Sequence, residues 1–151
     1  MADVRVVTGR RSRIPSTRVG VQVNVFGMAR LISGINGQSM IHILLDALQP
    51  SYDQAYSRWP VWTGASRDSL SIEIVEVSEH RARAALLAGG EKLINDTRNR
   101  SRKDYAPYIE FNGTRTAPPG IIFDATYGRD TEIRSDIHGG IAALVREIAS
   151  G

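Results

Sequence analysis

Apolar and other residues alternate strictly at the start of the second stretch of the chain. Val19, Val21, Val23 and Val25 interleave with Gly20, Gln22, Asn24 and Phe26. Period two in a β-branched run predicts a strand with one face on a core. Gly27 ends it, and residues 28–35 read as a short helical piece stopped by Gly34 and Gly37. From residue 38 to 58 the period lengthens. Ile41, Leu44, Leu48, Tyr52, Ala55 and Trp59 recur at steps of three and four, the stripe of an amphipathic helix. Pro50 falls inside it and predicts a kink or a break into two helices, because proline lacks a donor and crowds the preceding turn. Trp59-Pro60-Val61-Trp62-Thr63-Gly64 cannot prolong the helix, since the residue before a proline is pushed out of helical geometry.

Residues 71–77 alternate imperfectly. Ile72 and Ile74 share one face, while Val75 and Val77 fall opposite, so a bulge or a strand covered on both sides is expected. Ser78-Glu79-His80 reads as a turn. Ala82, Ala84, Leu86 and Ala88 then alternate with Arg81, Arg83, Ala85 and Leu87, which predicts a hairpin closed by Gly89-Gly90. Residues 91–104 are polar and basic and read as a loop with one helical turn at its start. Residues 105–114, Tyr-Ala-Pro-Tyr-Ile-Glu-Phe-Asn-Gly-Thr, concentrate three aromatics, a carboxylate, a proline and a Gly-Thr turn. A rigid linker with Pro118-Pro119 follows. Ile133, Ile137, Ile141, Leu144 and Ile148 then mark a second helical stripe in one long helix leading away from residue 121. Gly139-Gly140 either breaks that helix or marks a close-packed neighbour. The fold class is α+β: a small antiparallel or mixed sheet packed with two main amphipathic helices, in a single domain over residues 19–151.

Charge changes the picture at one end. The net +3 of the 151 residues is uneven: residues 1–20 carry five arginines against one aspartate, and the remainder is close to neutral. Residues 1–18 therefore read as a flexible basic arm. It either contacts nucleic acid or an acidic neighbour, or is merely a solvated tail. Lys92, Arg98, Arg100, Arg102 and Lys103 form a second basic cluster.

Candidate chemistry is sparse. The absence of cysteine excludes a disulfide framework and thiolate metal sites. No run reaches the ~18 apolar residues of a membrane span, and the N-terminus lacks a signal-type apolar core. A protein made in the cytoplasm, with no membrane partner, is expected. There is no phosphate-binding glycine loop. His42, His80 and His138 fall in different elements, and His42 with Asp46 reads as a surface pair. Local context suggests no Ser, His and Asp set, so neither an enzyme nor a cofactor is expected. Trp59, Trp62, Tyr105, Tyr108 and Phe111 could stack on bases, but Glu110 among the last three favours packing.

Two stretches then resemble a known family. Residues 60–70 read Pro-x-x-Thr-Gly-x-x-x-x-Ser-Leu, held by Pro60, Thr63, Gly64, Ser69 and Leu70. Residues 105–114 read Tyr-Ala-x-Tyr-Ile-Glu-Phe-x-Gly-Thr, held by Tyr105, Tyr108, Glu110, Phe111, Gly113 and Thr114. With the order of elements, these resemble the HK97 gp10-like family, the neck or tail-completion proteins of long-tailed phages and gene transfer agents. Trp62 stands where the family usually has aspartate, Ala65-Ser66 replaces a polar-leucine pair, and Asn112 is inserted before the glycine. The resemblance implies a tail-completion or terminator-like fold and a virion subunit assembled in the host cytoplasm. It forms a ring, usually of six, at the head–tail junction around the DNA channel. The implied partners are other copies of the chain, the head-side connector or head-completion protein, and the tail terminator or tail tube. A tail terminator, and a nucleic-acid-binding module outside any virion, are the alternatives. On this reading Tyr105, Tyr108 and Phe111 brace the joint between the sheet and the last helix. Glu110 accepts hydrogen bonds from a turn or pairs with an arginine. Arg10, Arg11, Arg13 and Arg18, or Arg98, Arg100, Arg102 and Lys103, face channel DNA or a protein partner.

Overall fold

The computed structural model describes residues 2–6, 18–26, 37–79 and 81–150. Their architecture is α+β, as the periodicities predict. β1 (Ala2–Val6), β2 (Val19–Phe26), β3 (Ser71–Ser78) and β4 (Arg81–Ala88) form an antiparallel sheet in the order β1-β2-β4-β3. Residues 2–6 are thus an edge strand on β2 rather than part of an arm. Residues 7–17, with Arg10, Arg11 and Arg13, and the helical piece expected at 28–35 lie outside the described residues.

Register explains both faces of the sheet. Val21 and Ile72 flank Leu86 on β4, and Val23 and Ile74 flank Ala84. This face carries the core. The central strand contributes the small side chains Ala82, Ala84 and Ala88, all fully buried. Small residues let a helix approach closely, and α1 (Gly37–Arg58) fills the space with Met40, Ile41, Leu44 and Leu48. The register shifts between Ile74 and Glu76. That extra residue accounts for the imperfect alternation in β3, because it returns Val77 to the core face, opposite Ala82. The other face is mixed, with Ala85 and Leu87 beside charged pairs. Arg83 lies 3.2 Å from Glu76, and Arg18 pairs with Glu73.

Pro50 does not divide α1, which is one helix of 22 residues. The expectation of a break fails because both Pro50 and Asp46, whose carbonyl loses its helical donor, lie on the exposed face, where water can satisfy that carbonyl. Gly37 begins α1 against the β3–β4 turn, donating to the Glu79 carbonyl at 3.3 Å. A Cβ here would sit 1.8 Å from the Ser78 carbonyl oxygen, so only glycine fits.

Three short helices follow: α2 (Ala65–Asp68), α3 (Glu91–Ile94) and α4 (Ala106–Asn112). The last lies within residues 105–114, where no helix was expected. The single helix expected after residue 121 is α5 (Ile121–Thr126), a 3-10 turn (Tyr127–Arg129) and α6 (Asp130–Ser150). Thr126 stands at the interruption. Its hydroxyl donates back to the Ile122 carbonyl at 2.7 Å and competes with the helical ladder. In α6, Ile133, Ile137 and Ile141 are buried, and α1, α5 and α6 cover the core face together.

Gly139 and Gly140 do not break α6, and their surroundings differ. A Cβ on Gly140 would lie 2.6 Å from Ile43, whereas one on Gly139 would meet nothing within 4 Å. Gly139→Ala should therefore raise stability by about 0.5–1 kcal/mol, the helix-propensity gain. Gly140→Ala should forfeit that gain. Paired thermal melts check this, and equal shifts for the two variants would contradict it.

Candidate interaction surface

The two motif stretches are folded by backbone capture. Gly64 takes a left-handed φ of 84°, which turns the chain into α2. Ser69 then donates to the Ser66 carbonyl at 2.5 Å and accepts from the Gly89 N–H at 2.9 Å, tying this turn to the end of β4. Asp104 accepts from Gly90 N–H at 2.7 Å and from Ala106 N–H at 3.2 Å. It thereby starts α4 against the same strand end, and Pro107 sits in the first helical turn where its missing donor costs nothing. Burial pushes the Asp104 carboxyl above the usual carboxylate range, and these two N–H bonds oppose the shift.

Glu110 is the centre of the second stretch. It is 6% exposed, and its two carboxylate oxygens accept from Ile122 N–H and Phe123 N–H, both at 2.9 Å. Gly120 holds the N-cap position of α5 but has no side chain to offer, so Glu110 supplies the cap from another helix. Its own carbonyl accepts from Gly120 N–H at 2.7 Å. Burial is the main cause that raises its carboxyl, the two N–H bonds lower it, and Asp124 adds to the rise. Of the two roles expected for Glu110, the structure has the capture of a turn. Thr114 closes the connecting loop, accepting from Ala117 N–H through its hydroxyl at 3.2 Å.

Of the three aromatics expected to brace this region, Tyr105 packs half-buried against the core, whereas Tyr108 and Phe111 do not. Helical geometry turns Ala106, Ile109 and Glu110 inward and leaves Tyr108 and Phe111 exposed. Trp62 is 90% exposed, and Val61 and Phe123 are also exposed. Hollows lie among these side chains in the described residues. One of about 280 Å³ joins the two motifs, between Pro60, Trp62 and Gly64 on one side and Tyr105, Tyr108 and Thr114 on the other. A second of about 500 Å³ runs from Trp62, Thr63 and Tyr105 to Arg98, Arg100 and Ser101. A third, about 340 Å³, lies beyond α4 between Phe111, Phe123, Val19 and Val21, with Glu110 in its lining. Residues 45 positions apart in sequence are thus brought onto one surface.

The basic candidates separate. Arg18 is held by Glu73. Arg98 reaches both carboxylate oxygens of Asp96, at 3.0 and 2.7 Å, and Asp68 at 2.9 Å. Its hydrogen bonds hold the Asp96 carboxyl down to about 2. The loop is ordered by Asn99, 3% exposed, whose amide donates to the Leu93 and Lys103 carbonyls at 2.8 and 2.9 Å. Arg102 takes a positive φ of 54° and points at the Asn95 carbonyl. Arg100 and Lys103 are exposed without an ion pair among the described residues. Asn99, Asp104 and Phe123 were absent from the sequence-based candidates. Asp104 had a legible signal, an acidic residue just before a helix whose first turn holds a proline.

Among the described residues no cluster of three or more potential metal ligands occurs, and no helix is long and apolar enough to cross a membrane. Comparison with protein-family models, curated proteins and solved structures found no match.

Proposed function

We propose that this chain is a structural subunit of a closed homo-oligomeric ring, of about six copies by the family resemblance, at the head–tail junction of a phage or gene-transfer-agent particle. The observation that carries the reading is the convergence of residues 60–69 and 105–114 on one surface where Trp62, Tyr108 and Phe111 stand exposed. Large apolar side chains grouped on a surface mark a place where another macromolecule binds. The ring would sit between the head-side connector and the tail terminator or tail tube, with DNA passing through it. Imaging of the purified chain, and of particles carrying it, tests the proposal: rings located at the neck are expected. A position at the tail end of the junction would favour the tail terminator role.

One observation favours a nucleic-acid-binding reading. Arg100 lines the hollow that contains Trp62, and the exposed Lys103 follows it in the same loop. A channel subunit should bind duplex DNA weakly and without sequence preference. Two engaged cations predict a log–log salt slope of about −1.8, at about −0.9 per phosphate. The double variant Arg100→Ala, Lys103→Ala should abolish most of that slope in a filter-binding titration. Tight, sequence-selective binding would move the assignment to a regulator.

A further inference from the structure

The surface around α4 carries a projection and a recess on the two flanks of the exposed ridge of the helix. At 100° per residue, Tyr108 and Phe111 stand about 60° apart and form that ridge, while Ile109 and Glu110 turn inward. Trp62 lies on the Tyr105 flank, beside Tyr108. The hollow of about 340 Å³ opens on the other flank, between Phe111 and Phe123. We propose that Trp62 is the anchor of the subunit contact and that it seats in the Phe111–Phe123 hollow of a second copy of this chain. The proposal rests on the ring reading and specifies which surfaces meet.

Three observations select a second copy as the occupant. First, Trp62 is the most exposed of the large apolar side chains among the described residues, at 90%, and tryptophan is the residue most enriched at the energetic centre of interfaces. Second, the chemistry of the two surfaces is complementary. The projection is flanked by Arg100 on the basic loop, and the recess is flanked by Asp124 and lined by the Glu110 carboxylate. An indole N–H buried in a contact needs an acceptor, and the exposed Asp124 carboxylate offers one. Third, a projection and a recess on different flanks of one helix, whose hollows share no lining residue, do not meet within a chain. Between copies they make a head-to-tail contact, which repeats in one direction and gives a ring where the rotation closes.

The protein contains no cysteine, so a disulfide introduced at the contact has no competitor. Trp62→Cys and Phe111→Cys are made as separate variants, mixed, and oxidised. A cross-linked pair is expected in the mixture and not in either variant alone, and the double variant should give a ladder ending at the closed ring. Trp62→Ala should weaken association by at least ~30-fold, as loss of an interface hot spot does. Its far-UV spectrum and melting temperature should not change, because the side chain packs on little of its own fold. Rings that form as well with Trp62→Ala, with no adduct in the mixture, would overturn this contact and leave the ring reading standing. Adducts from Trp62→Cys alone would mean a two-fold contact and also overturn it. A chain that stays monomeric at millimolar concentration with no adduct would overturn both readings.

Discussion

Trp59→Ala is expected to cost about 4 kcal/mol of folding stability, within the ~3–5 kcal/mol range for deleting a buried aromatic. Trp59 is 2% exposed and stands one residue past the end of α1, bonded through its N–H to the Ala55 carbonyl at 2.8 Å. Its indole N–H donates to the Ser66 hydroxyl at 2.8 Å, and Ser66 is itself buried. The substitution therefore opens a cavity and leaves a buried hydroxyl without its donor. Trp59→Phe separates the two effects: most of the volume stays, and about 1–3 kcal/mol should be lost for the unsatisfied group. Urea unfolding provides the measurement, with the midpoint falling and the slope unchanged. A loss below about 1 kcal/mol for the alanine variant would show that Trp59 is not in the core. The same variant leaves Trp62 as the remaining tryptophan, so in the dilute, unassembled chain its fluorescence should be that of a solvated indole and readily quenched.

Glu110→Ala should cost about 3 kcal/mol. It orphans two backbone donors at the start of α5, one of them fully buried, and each unsatisfied donor costs about 1–3 kcal/mol. Glu110→Gln retains one acceptor but turns an amide N–H₂ toward a backbone N–H, so an intermediate loss is expected. The pH dependence has a definite sign. Burial raises the Glu110 carboxyl above its ordinary value, so the folded state binds the proton more tightly than the unfolded chain. That contribution is complete in acid, below the ordinary value of about 4.3, and is lost as pH rises through the raised folded value. The stability gap between the native chain and Glu110→Gln should therefore narrow from pH 4 toward neutrality. A gap that widens over that range would show that the two N–H bonds outweigh burial. Asp96 runs the other way. Held down to about 2 by Arg98, it contributes above the ordinary carboxylate range and loses that contribution as pH falls toward 2.

These two residues show the limits of reading the chain. Glu110 was visible as a carboxylate set among aromatics, and capture of a turn was one of its two expected roles. Which turn it captures was not visible, because its donors lie 12 and 13 residues away across a proline-containing loop. Trp59 and Trp62 were indistinguishable by type. The helical stripe did include Trp59, and that single clue agrees with its burial.

What the sequence by itself determined is the set of elements whose side chains repeat with a regular period. The valine alternation set β2, the hairpin alternation set β3 and β4, and the apolar stripes set α1 and α6. A periodic pattern is a local property, since each residue's face follows from its neighbours. The β3 bulge was one of two readings of a defect in that pattern, the other being a strand covered on both sides, and the register decided between them. The tertiary structure alone decided the rest. Pro50 is tolerated because its face of α1 meets water, not another element. The helix of residues 106–112 is held in place by Asp104 and Glu110, which are tied to backbone groups distant in sequence. Trp62 was left in solvent while Trp59 was buried because the chain turns at Pro60 and Gly64, a change of direction that no periodicity records.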